Sequence, residues 1–198
     1  MKNKILIGLS AIIMVAILAG CGKKPQVEID TTNAAIEAAK AVEADVYLPG
    51  EFAAVQDSMN AILADIEAQE GKMFKNYGDA KENLATVQAL ANEVASKVEG
   101  KKEEVKAEAE TLMNDIETVL TENNRLVARL PRGKEGAAVI EQIKADLSNV
   151  DASVAEAKTA YDSGAFMDAY NKLQAAKAKA DELNAEMKET FTKARIRF

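Results

Sequence analysis

The chain has 198 residues and a formal net charge of −7, from 25 basic and 32 acidic side chains, so a basic face for nucleic acid is not expected. There is no histidine, no tryptophan and a single cysteine, Cys21. This composition rules out a disulfide framework, removes imidazole as a general base or metal ligand, and points away from an enzyme.

Met1-Lys2-Asn3-Lys4 is a short basic head, residues 5–18 form an uncharged apolar run, and Ala19 and Gly20 are small. This is the layout of a secretory signal. The run is shorter than the roughly 20 apolar residues that cross about 30 Å of hydrocarbon, so cleavage is expected rather than retention as a span. Leu18-Ala19-Gly20-Cys21 then places a large aliphatic residue, two small ones and a cysteine in order. The four residues resemble the lipobox of bacterial lipoproteins. The resemblance implies removal of residues 1–20, a thioether-linked diacylglycerol on Cys21 and an acyl chain on its new amino group, with no other cofactor. Gly22, rather than the aspartate that retains such proteins at the inner membrane, implies the outer membrane with the chain facing the periplasm, or the outer face of the cytoplasmic membrane in a one-membrane host. Loss of Lys2 and Lys4 takes the net charge from −7 to −9 and leaves no free thiol once Cys21 is acylated.

Residues 21–31 carry Pro25 and no period, and read as the lipidated cysteine and a tether of about 35 Å at most. From Thr32, a residue suited to an N-cap, Ala35, Ala39, Val42 and Val46 share one helical face, predicting a first helix to about Asp45. Pro49 ends it and suits the first turn of the next helix, which carries Phe52, Val55, Met59, Ile62 and Ile66 and stops near Gly71. Leu84, Ala91, Val98, Val105, Leu112, Val119 and Leu126 then recur every seven residues, predicting one helix from about Tyr77 to Leu130, with a break at Gly100-Lys101-Lys102 as the alternative. The companion apolar positions shift from Val87 and Val94 to Ala109, Ile116 and Leu130, as if the helix changes partners midway.

Pro131-Arg132-Gly133 turns the chain into a fourth helix bearing Ile140, Ile143, Leu147, Val150, Val154, Ala157 and Tyr161. Past Gly164 a fifth carries Phe166, Tyr170, Leu173, Ala176, Ala180, Leu183, Met187 and Phe191. No stretch has a strand's period of two. The fold expected is all-α: a five-helix elongated antiparallel bundle, or two three-helix bundles (32–98 and 99–198) sharing one long central helix.

Tyr77-Gly78-Asp79-Ala80 through Leu84 and Phe166-Met167-Asp168-Ala169 through Leu173 align at an offset of 89. With Tyr47-Leu48-Pro49-Gly50-Glu51-Phe52 they resemble a family of Ala-rich helical-hairpin domains of unknown function in bacterial lipoproteins, often found beside OmpA-like modules. The likeness covers residues 34–97, with an echo over 137–190. Gly50 stands where that family has an acidic residue, and no such module follows, so peptidoglycan binding is not carried over.

Two groups of side chains invite a functional reading. Aromatics cluster at the turns, as plugs for bundle ends or as a stacking platform for sugar rings. Arg125, Arg129 and Arg132, with Lys193, Arg195 and Arg197 in the tail, are cations in an otherwise acidic chain. The carboxylates follow no calcium-loop spacing, so no metal site is expected. The function expected is a non-catalytic lipoprotein of the cell envelope, a spacer or docking surface for an envelope protein or cell-wall component. The alternative is a carrier holding an apolar ligand between helices.

Overall fold

The structure is a computed structural model describing residues 23–130 and 136–193, and these residues are all-α. Six helices follow in order: α1 (Gln26–Ala41), α2 (Ala44–Tyr47), α3 (Pro49–Glu70), α4 (Gly78–Arg129), α5 (Gly136–Asp162) and α6 (Phe166–Lys193). They divide between Lys97 and Val98 into two units. The sixth helix relative to the five expected is the four-residue α2.

The start of the first helix departs from expectation. It begins at Gln26, so most of the stretch read as tether is helical, and Thr32 is no N-cap. Pro25 presets its own φ at −79° and its carbonyl accepts the Ile29 N–H at 3.0 Å. Gln26 donates to Asp30 one turn on, and Ile29 is buried, extending the apolar stripe backwards through Thr32, Ala35, Ile36 and Ala39. The helix also stops earlier, at Ala41 rather than Asp45. Glu43 takes the left-handed conformation, φ 69°, which breaks the phase. Ala44 and Tyr47 turn inward, and Val42 and Val46, expected on the buried face, are left exposed.

Elsewhere the punctuation acts as chain chemistry dictates. Pro49 occupies the first turn of α3, and Gly71 caps its end. Gly164, at φ +86°, closes α5: its N–H reaches Tyr161 O and the Ala165 N–H reaches Ala160 O, both at 2.9 Å, a Schellman turn that a side chain would strain. No break occurs at Gly100; α4 runs 52 residues, and a Cβ at Gly100 would meet nothing within 4 Å.

In the first unit α3 runs antiparallel to its neighbours. Lys24 meets Glu70 at 3.0 Å, Lys97 meets Glu51 at 2.9 Å, and Lys81 meets Glu28 at 2.9 Å. Phe52, Val55, Met59, Ile62 and Ile66 are buried, as are Leu84, Val87, Ala91 and Val94. In the second unit Lys106 lies over the Phe166 ring and Glu122 meets Lys188, so α6 runs parallel to residues 98–129, while the Glu110–Tyr161 bond and the tight turn at Gly164 set α5 antiparallel. Its core joins Ala109, Ile116, Leu120, Leu126, Ile143, Leu147, Leu173, Leu183 and Phe191. Leu112 and Val119, on the heptad read from the sequence, are only partly buried, and Ile116 and Leu120 lie deeper. The seam does shift along α4.

The offset-89 repeat extends further in burial than in letters. Ala80 and Ala169, Leu84 and Leu173, Val87 and Ala176, Ala91 and Ala180, Val94 and Leu183, and Val98 and Met187 are buried in both copies. Each unit also ties two helices together through a buried polar side chain and a backbone carbonyl, α1 to α4 in the first and α4 to α6 in the second. The Thr32 hydroxyl lies 3.2 Å from Leu84 O, and Asn123 Nδ2 donates to Ala180 O at 2.8 Å. Such a bond contributes only about 0.5–1.5 kcal/mol, but slipping register would strand the buried Asn123 amide, whereas the Thr32 hydroxyl keeps the Glu28 carbonyl of its own helix, 2.8 Å away.

Two substitutions test this packing. Gly100→Ala, in open space in the middle of a helix, should stabilise the chain by about 0.5–1 kcal/mol in urea unfolding, and no gain would show that the helix is not continuous there. Leu173→Asp, in a fully buried seam, should cost more than about 3 kcal/mol, against at most about 0.5 kcal/mol for the exposed Glu156→Ala.

Candidate functional site

Of the candidate site residues singled out in the sequence, Arg125, Arg129 and Lys193 lie among the described residues; Cys21, Arg132, Arg195 and Arg197 lie outside them. Because α4 and α6 run parallel in the second unit, Arg125, Arg129 and Lys193 fall toward the same end of it, and all three are exposed.

Their charge is partly engaged. Glu122 accepts a hydrogen bond from Lys188 at 2.9 Å, which holds its carboxyl below the ordinary range, with smaller help from Asn184 and from the charge of Arg125. Lys193 pairs with Glu189 at 2.8 Å on its own helix, and that bond lowers the Glu189 carboxyl in turn. Beneath this surface Asn184 donates to Asn123 Oδ1 at 2.7 Å, so the fully buried Asn123 is satisfied on both sides of its amide. What this end presents is a set of cations interleaved with acids, able to exchange partners with an incoming carboxylate or phosphate at modest cost.

The aromatics separate into three kinds. Tyr47, Phe52 and Tyr77 are buried, as plugs. Tyr161, Phe166 and Tyr170 are half-buried around the α5–α6 turn. There the Tyr161 and Phe166 rings meet edge to face at 5.1 Å, with Lys106 Nζ 5.6 Å from the Phe166 centroid, so these rings are occupied by one another. Phe74, beside Met73, is almost wholly exposed. The sequence pattern does separate Phe74 from the buried Tyr77: Tyr77 falls seven residues before Leu84, on the heptad of the helix expected from about Tyr77, and Phe74 precedes that helix.

A groove of about 440 Å³ lies between α4 and α6, lined by Glu104, Ala107, Glu108, Thr111, Leu112 and Tyr170 and open to solvent. Among the described residues no group of three or more Asp, Glu, Cys or His side chains is placed to hold a metal ion. No helix among them is long and apolar enough to cross a membrane.

No family model, curated protein or solved structure matches the chain.

One titration is distinctive. Tyr161 donates its hydroxyl proton to Glu110, and this bond, followed by desolvation and the Glu110 charge, pushes the phenol up to about 12. A folded-state value above the unfolded value of about 10 stabilises the fold fully below pH ~10, and the contribution is lost as pH rises from there through the folded value. Phenolate absorbance should show one tyrosine ionising near pH 12. Glu110→Ala should bring that tyrosine back toward about 10. An unchanged profile in the variant would show that Glu110 does not hold the proton.

Proposed function

We propose that this chain is a lipid-anchored, non-catalytic protein of the bacterial cell envelope, a helical spacer and docking surface held at the periplasmic face of the outer membrane. The observation that carries this is Leu18-Ala19-Gly20-Cys21, an acylation and cleavage motif at the end of an apolar run, with Gly22 following. The onset of helix at Gln26 supports it further: five residues from Cys21 reach about 17 Å at most, so the first unit would stand close to the bilayer. Two acyl chains give an anchor that does not exchange readily.

In the architecture we favour, α4 is common to two three-helix bundles. Alanine at many buried seam positions, including Ala91, Ala109, Ala157, Ala169 and Ala180, lets backbones approach closely and favours a spacer over a carrier. The docking contact would be electrostatic, through Arg125, Arg129 and Lys193 with Arg132, Arg195 and Arg197, toward an acidic envelope protein or cell-wall component.

Metabolic labelling with a fatty acid tests the anchor: the wild-type chain should take up label and Cys21→Ser should not, accumulating instead as the uncleaved precursor. Label retained on the variant overturns the proposal. Neutralising the six cations together should weaken partner crosslinking in whole envelopes in a salt-dependent way while leaving the melting temperature nearly unchanged.

A further inference from the structure

The loop between α3 and α4 breaks the rule that the first unit otherwise keeps. Tyr47, Phe52 and Tyr77 are each at most 4% exposed, yet Met73 and Phe74 are 92% and 87% exposed, side by side at its tip. Lys72 and Lys75 flank them directly, giving Lys-Met-Phe-Lys, an apolar pair between two cations in a chain whose mature net charge is negative.

The position of this loop follows from two ion pairs. Lys24, just before α1, meets Glu70 at the end of α3, 3.0 Å away; Glu28, in the first turn of α1, meets Lys81 in the first turn of α4 at 2.9 Å. The start of α1 thus lies against both stems of the loop. Lys24 is three residues from Cys21, a reach of about 11 Å at most. The acyl attachment point and the Met73-Phe74 tip therefore share one end of the first unit. Val27, 65% exposed, adds apolar surface at that end, and Lys23 adds a cation. Of the acids there, Glu70 and Glu28 pair with Lys24 and Lys81, Glu67 also acts on Lys24, and Asp65 and Asp79 line a groove together with Lys72.

We propose that the α3–α4 loop is a second, non-covalent membrane contact: Met73 and Phe74 enter the interface of the leaflet that holds the Cys21 acyl chains, and Lys72 and Lys75 meet its phosphates. The inference rests on the lipid-anchor proposal above. A long flexible side chain and a ring between two lysines are matched to a boundary that is apolar inward and anionic at the surface. With the lipid as one fixed point and the loop as another, the first unit is held in a set orientation instead of pivoting on the residues between Cys21 and Gln26.

Acylation of Cys21 leaves the mature protein without a free thiol, so an introduced cysteine is a unique label site. Met73→Cys and Asn60→Cys, the latter exposed in the middle of α3, would each carry an environment-sensitive fluorophore. The full-length acylated protein is placed in vesicles of three parts phosphatidylethanolamine to one part phosphatidylglycerol, its acylation verified by mass. The probe at 73 should shift to the blue, lose most of its quenching by aqueous iodide and become quenched by acyl-chain spin labels; the probe at 60 should do none of these. Adding Phe74→Ser should restore iodide access at 73. A probe at 73 as water-accessible as that at 60 on acylated protein overturns the loop contact alone. Absence of acylation overturns the anchor and this inference together. Shielding of 73 in detergent without vesicles, growing with protein concentration, would assign the tip to a second copy and overturn the membrane assignment.

Discussion

Each long helix in this protein carries one apolar stripe, and the stripe can leave water only against the stripes of its neighbours. With few aromatics and no disulfide, burial along these narrow seams is the main source of stability available, at roughly 25 cal/mol for each Å² removed from water. Alanine at many of the closest positions lets the helices approach until leucine, isoleucine and valine on either side interdigitate. Turn chemistry, polar pairing and surface charge act within limits set by that packing.

A seam built from small, interchangeable residues is weak at specifying its own register, since a slide by one heptad meets another alanine or valine. Thr32 and Asn123 supply what the seam lacks. Each is buried and each reaches a backbone carbonyl of another helix; a slipped arrangement would strand the Asn123 amide in an apolar environment, while the Thr32 hydroxyl would keep Glu28 O in its own helix. The two bonds do not fall at equivalent places of the offset-89 repeat, since Asn123 and Ala180 map to positions 34 and 91 and not to Thr32 and Leu84. The surface ion pairs are a different matter. They are solvent-exposed and individually worth at most about 1 kcal/mol, so their information lies in which elements they place side by side. Lys24–Glu70 and Lys81–Glu28 locate one end of the first unit in this way, and Glu122–Lys188 sets the direction of α6.

The proposed functional surfaces lie outside the seams. In the first unit they are an exposed apolar pair at the end nearest Cys21. In the second they are the arginines and lysines toward the C-terminal ends of α4 and α6. A protein fixed to a bilayer at one point gains from a second contact that fixes its tilt, and from cations that can trade an intramolecular acid for one on a partner. Both uses leave the packed stripes undisturbed.

Much of this was legible in the residues alone. The three-four spacing marks α3, α5 and α6 and nearly all of their buried positions, because an amphipathic helix must repeat at 3.6 residues to face one way. Pro49 and Gly164 mark ends because a fixed φ or a missing Cβ acts locally, while Gly71 caps α3 in the right-handed region, at φ −78°, that any residue adopts. The heptad through Gly100 survives because one exposed glycine costs less than breaking a 52-residue helix. Other features depended on neighbours. Helix α1 starts at Gln26 rather than Thr32 because Ile29 has a packed unit to face, and Thr32 became a buried cross-link in place of a cap. Val42 and Val46 point outward because Glu43 adopts a conformation that no period reveals. Leu112 and Val119, on the heptad, are only partly buried while Leu120 and the companion position Ile116 lie deeper, because the packing within the second unit decides which of two adjacent stripes faces its core. Met73 and Phe74 are exposed because no element among the described residues covers that loop. Periodicity states which residues share a face; only the placement of the other helices decides what stands opposite that face, or whether anything does.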